Sequence, residues 1–147
     1  MRKQDKRAMP YFFYACLLLS HSLPFVYWVI YKAIKDNIDG TFLAILELAC
    51  PPIFALCLFF TFFVGVCVFC GDHTSAKVNI TGVIIEASIS VLLIVAYIAA
   101  YAFPLGWDNQ IVLHFKIAGW MWSMLGIMDI LVFVIALAGY KQRSKMV

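Results

Sequence analysis

Charge is what this chain has least of. Only 13% of its 147 residues are charged, about half the share usual in a soluble domain, while 65% are hydrophobic. A chain this short has no interior large enough to hide so much apolar surface from water. The net charge of +3 is too small for a nucleic-acid partner, and the basic residues gather at the ends. No Gly-rich phosphate loop and no Ser–His–Asp set is present. His73 and His114 stand alone in loops, with too few partners for a metal site. Neither an enzyme nor a cofactor is expected.

What is present is four long apolar runs. They extend from about Tyr11 to Tyr31, Thr41 to Cys70, Ile80 to Phe103 and Ile117 to Tyr140. Each exceeds the ~20 residues a helix needs to cross ~30 Å of hydrocarbon. Lipid offers no partner to unpaired backbone groups, so helices are the default; a β-barrel would need alternating polarity and more, shorter segments. The pattern predicts one all-α domain, a four-transmembrane-helix bundle with short loops. Pro51-Pro52 supplies a cause for a kink in the second helix. The first run is too long for a signal-peptide core, is broken by Ser20, His21 and Pro24, and lacks a small-residue cleavage site. It reads as a retained helix. Loops of about 9 to 12 residues leave no room for a folded extracellular domain.

Orientation follows from Lys and Arg. Arg2, Lys3, Lys6, Arg7, Lys77, Lys141, Arg143 and Lys145 fall on one side, eight in all, against three (Lys32, Lys35 and Lys116) on the other. The positive-inside rule then predicts cytosolic termini and a cytosolic 71–79 loop. Tyr27, Trp28, Tyr31, Trp107, Trp120 and Trp122 fit an outer aromatic belt, and Tyr11, Tyr14 and Tyr140 an inner one.

Four ionisable groups interrupt the apolar runs: His21, Glu47, Glu86 and Asp129. Such groups are costly in hydrocarbon and face the bundle interior or a wet cavity. At 1.5 Å per residue, His21 and Asp129 come out near the midplane, which makes them the expected partners. Glu86 falls in the inner third and Glu47 in the outer third. Small residues extend these positions into packing seams: Gly82 and Ser90 with Glu86, and Gly119, Ser123 and Gly126 with Asp129. Two readings follow, an ion or proton pathway or interhelical packing.

Cys67 and Cys70 form a CxxC at the end of the second helix. That pair could suggest redox work, but a membrane thiol oxidoreductase needs a second exchangeable pair or a quinone site beside its dithiol, and this pair falls on the predicted reducing side. Reversible lipidation and a plain apolar role are the alternatives. Asn79-Ile80-Thr81 matches a glycosylation sequon, but on the cytosolic side and against a helix it is expected to stay unused.

With these features the chain resembles the MARVEL tetraspan group, in its short MAL-like and chemokine-like-factor-like branch. The likeness lies in the overall layout, in the hairpin from Phe63-Val64-Gly65 through Gly71-Asp72-His73 to Glu86, and in Met128-Asp129-Ile130 followed by Tyr140-Lys141. Glu47 and Pro51-Pro52 depart from that pattern. The resemblance implies membrane organisation or vesicle trafficking, in the plasma membrane or secretory and endosomal vesicles. Membrane lipids and other membrane proteins, or further copies of the chain, would be the partners. The alternative is a small transporter or channel subunit using His21, Glu86 and Asp129. Small multidrug exporters depend on an acid in their first helix, which the first run here lacks.

Overall fold

A computed structural model of the chain describes residues 5–35, 40–71, 75–102 and 110–145. Arg2, Lys3, Asp72, His73 and Trp107 lie outside the described residues. The elements, in order, are α1 (Asp5–Lys35), α2 (Gly40–Cys70), α3 (Ala76–Ala102), α4 (Gln110–Ile117) and α5 (Gly119–Ser144). The described residues contain no strand. Helices α1, α2, α3 and α5 are each long and apolar enough to cross a membrane, so the chain is an all-α, multi-pass membrane protein. Helix α1 extends beyond its apolar run at both ends, α3 starts four residues ahead of Ile80, and α5 begins at Gly119 and runs four residues past Tyr140. At 31 residues each, α1 and α2 span about 46 Å, enough to clear the hydrocarbon core and stand in the headgroup layer on both sides.

Burial is arranged for lipid. Leu18 is 74% exposed and Leu92 68%, while Glu86 and Asp129 are fully enclosed. Lipid replaces water as the solvent for the outer faces, so polar groups turn inward, where they find partners or at least escape hydrocarbon. Helix α5 touches all three other spanning helices, most extensively α3. Its buried face is Met121, Trp122, Leu125, Met128, Asp129, Val132, Ala136 and Gly139, a stripe at helical spacing. Opposite it stand Phe13 and Leu17 of α1 and Phe54, Leu58, Val68 and Phe69 of α2.

Helix α2 continues without a break through Pro51-Pro52. Proline has no N–H, so the carbonyls of Glu47 and Leu48 lose their usual donors. Helix α4 occupies a stretch expected to be loop. His114 and Phe115 are buried against the bundle, and burial of that apolar face favours helix over a solvated connection. The backbone passes from α4 to α5 through buried Ala118, whose N–H donates to the His114 carbonyl at 2.9 Å and whose carbonyl accepts from Trp122 at 3.1 Å.

The termini end of the bundle is closed by Asn79. Its side-chain Nδ2 donates to the carbonyls of Phe69 (3.1 Å) on α2 and Ala136 (3.4 Å) on α5. Its Oδ1 accepts from Arg143 Nη1, while Arg143 Nη2 donates to the Gly71 carbonyl. The Asn79 amide thus joins α2, α3 and α5, and Arg143 extends the network to the start of the α2–α3 turn. Gly139 makes room for the amide, since a Cβ there would collide with Asn79 Nδ2 and the Phe69 carbonyl.

Candidate functional site

The residue types that set this site apart are two fully enclosed acids and a half-buried histidine. Leu17 and His21 are four residues apart on α1, and the Leu17 carbonyl accepts from His21 Nδ1 at 2.8 Å. That bond fixes a proton on Nδ1. The other ring nitrogen, Nε2, lies 3.0 Å from Asp129 Oδ2 of α5. A neutral ring protonated at Nδ1 has only a lone pair at Nε2, so a second proton must occupy the Nε2···Oδ2 bond. Either imidazolium faces carboxylate or imidazole faces carboxylic acid. Both forms are neutral overall, which is the charge a low-dielectric interior tolerates best.

Glu86 of α3 completes the centre. It is fully enclosed and interacts electrostatically with both His21 and Asp129. Among the described residues neither of its carboxyl oxygens has a hydrogen-bond partner, and Asp129 Oδ1 also has none. The buried Tyr14 hydroxyl is within electrostatic reach of Glu86 and is likewise without a hydrogen bond. Three helices therefore bring one base and two acids together at the core of the bundle. The group can hold or exchange a proton. Among the described residues no three His, Cys, Asp or Glu side chains are arranged to hold a metal ion.

Glu47 does not join them. It is exposed and lines a pocket of about 530 Å³ at the opposite end from the termini, with Tyr27, Tyr31, Pro51, Lys116 and Trp120. Being four residues ahead of Pro51 near the start of α2, it sits too close to the helix end to reach the interior.

The small-residue seams divide. In α3, Gly82 and Glu86 are buried, with Gly82 held against the Phe69 ring, and Ser90 is half-buried. In α5 the expected seam of Gly119, Ser123 and Gly126 is open at Gly126 among the described residues. Ser123 is exposed and donates to the Gly119 carbonyl at 2.9 Å, and a Cβ on Gly126 would meet open space. At about 100° per residue, these three positions share an arc of roughly 60° that lies to one side of Asp129. The buried stripe runs on the other side, through Leu125 and Val132. Ser90, Ser123 and Gly126 instead line an open apolar groove of about 320 Å³ between α3 and α5.

Two polar contacts had no clear signal in the sequence. Ser20 donates to Thr61 Oγ1 at 2.9 Å, because the Thr61 proton is already given to the Cys57 carbonyl. Serine and threonine within apolar runs are a hint of such bonds, but not of which residues meet. His114, taken for a lone loop histidine, accepts from Trp122 Nε1 at 3.1 Å and stacks on Phe25 at 4.5 Å. Burial lowers its affinity for a proton below the ordinary histidine value. Cys67 and Cys70 are free thiols on the exposed side of α2. No protein-family model, curated protein or solved structure matches this chain.

Proposed function

We propose that this protein is a non-enzymatic membrane-organising tetraspan of the secretory or endosomal pathway or plasma membrane. Both termini would lie in the cytosol, and its helix faces would gather lipids and other membrane proteins. The observation that carries this reading is the division of the bundle. Ionisable groups converge inside, while the outer faces present apolar grooves between α2 and α5 and between α3 and α5. Open grooves between spanning helices suit acyl chains or the side chains of a neighbouring helix. The MARVEL resemblance points the same way, and basic tails would add about 1 kcal/mol per Lys or Arg near anionic lipid. Cys67 and Cys70, exposed at the end of α2, suit reversible acylation; acyl-exchange labelling should disappear when both become Ser.

The test is lateral organisation in giant vesicles. Labelled protein should collect in patches, and Gly126→Leu, which fills the α3/α5 groove, should disperse them without lowering the melting temperature. Uniform distribution of the unaltered protein would reject the proposal.

A second reading has its own observation. The unbonded carboxyl of Glu86 beside the His21–Asp129 pair suits proton- or cation-linked transport. Proteoliposomes showing a flux that vanishes in Glu86→Gln would favour it over the first.

A further inference from the structure

The pocket that holds Glu47 unites three kinds of group at the membrane boundary. It carries one carboxylate (Glu47), one ammonium (Lys116), and aromatic walls of Tyr27, Tyr31 and Trp120. Tyr27 stands 5.9 Å from Trp120 at 77° and 6.1 Å from Tyr31 at 35°, so their faces and edges bound one corner. Glu47 and Lys116 share the pocket without forming an ion pair. At about 530 Å³ the space lies within the range of small-molecule sites.

Below it the chemistry changes on the same helix faces. Four residues on from Pro51 comes Ala55, and four on from Trp120 comes Met124. Both line the apolar groove of about 350 Å³ between α2 and α5, which continues to Phe62 and Leu131. From Pro51 to Phe62 the distance along α2 is about 16 Å, roughly half the ~30 Å hydrocarbon core and so one leaflet deep.

We propose that this pocket and groove form a single site for a zwitterionic phospholipid, a conclusion that rests on the lipid-gathering reading above. The lipid ammonium lies against Glu47 and the faces of Tyr27, Tyr31 and Trp120. Its phosphate lies on Lys116, and one acyl chain follows the groove toward the midplane. A cation gains from both the carboxylate and the aromatic faces, and an ammonium side chain is a natural phosphate partner. An anionic lipid without the ammonium would meet Glu47 as a like charge.

Native mass spectrometry of the full chain in detergent tests this with matched-chain phosphatidylcholine, phosphatidylethanolamine and phosphatidylglycerol. The two zwitterionic lipids should be retained in preference to phosphatidylglycerol. Glu47→Gln should weaken them about five- to tenfold, the scale of one cation contact, and should not weaken phosphatidylglycerol. Lys116→Gln should weaken all three. Both side chains are exposed, so melting temperatures should match the unaltered protein. Equal retention of the three lipids would overturn the headgroup site while leaving the lipid-gathering role in place; no retained lipid would defeat both. Unchanged binding in both variants, whatever their stability, would mean that neither Glu47 nor Lys116 holds the headgroup, which also overturns the site. Displacement of phosphatidylcholine by equimolar soluble phosphocholine would reassign the pocket to a soluble zwitterion and overturn the lipid assignment.

Discussion

Among the glycines of α5, Gly139 and Gly126 have opposite surroundings. A methyl group at Gly139 would strike the Asn79 amide and the Phe69 carbonyl, neither of which can swing aside. Gly139→Ala should therefore cost about 1–3 kcal/mol, as overpacked sites do. Gly126→Ala meets nothing and should be neutral or stabilising by up to ~1 kcal/mol, since alanine is the better helix former. Thermal unfolding in detergent measures both, and equal effects would contradict the packing described. The buried pair gives a second contrast. Asp129→Asn keeps a hydrogen bond to His21 and should be mild; Asp129→Leu removes the partner of His21 Nε2 and should lose ~0.6–2 kcal/mol. If melting is lowered equally by both, the bond is not what Asp129 supplies. The sequence made these two residues legible as partners, because depth along helices of known rise can be counted. It did not reveal Asn79, which reads as a sequon until the fold encloses its amide with no room for a glycan. Nor did it separate Gly126 from Gly139, since the difference lies in a neighbouring backbone.

Helix α4 shows why elements at the membrane boundary are harder to read than those that span it. A spanning helix announces itself by twenty apolar residues, whereas Gln110–Ile117 is 8 residues long and holds His114 and Lys116. Its helicity comes from packing on Phe25 and Trp122, and packing is not written locally. The consequence is a pH dependence. The Trp122 N–H needs a lone pair on His114 Nε2, and burial holds this histidine's pKa below its ordinary 6.5. The unfolded chain then takes up a proton that the folded chain refuses, so stability should fall as pH drops below about 6.5. The loss should level off beneath the folded-state pKa. The difference in melting temperature between the unaltered protein and His114→Gln, followed from pH 8 to 5, isolates this from other titrating groups. A difference constant across that range would show that His114 is not held neutral.

For the whole molecule, the four-span layout was legible because the demand of hydrocarbon for unbroken apolar helices overrides every local preference. What the lipid-facing residues do not encode is which helix sits beside which. Here α5 takes the central place, and its buried face of Trp122, Leu125, Asp129 and Gly139 differs from its lipid face by one acid and otherwise in shape. Orientation is a separate property, set during insertion by charges near the ends of the spans. Seven of the eight basic residues on the termini side flank the first and last helices, with Lys77 in the α2–α3 region. That predicts a cytosolic position for Ser75 and Gln142, both exposed at the same end of the bundle. Single cysteines at these two sites, in a background without the native thiols, should resist impermeant maleimide in intact cells and react once the membrane is opened. Control cysteines at Thr41 and at Leu113, exposed at the opposite end, should react without permeabilisation. The reversed pattern would place Glu47, Lys116 and their pocket in the cytosolic leaflet. A mixed pattern would mean that the eight-to-three charge difference is too weak to fix one topology, with copies of the chain inserted both ways.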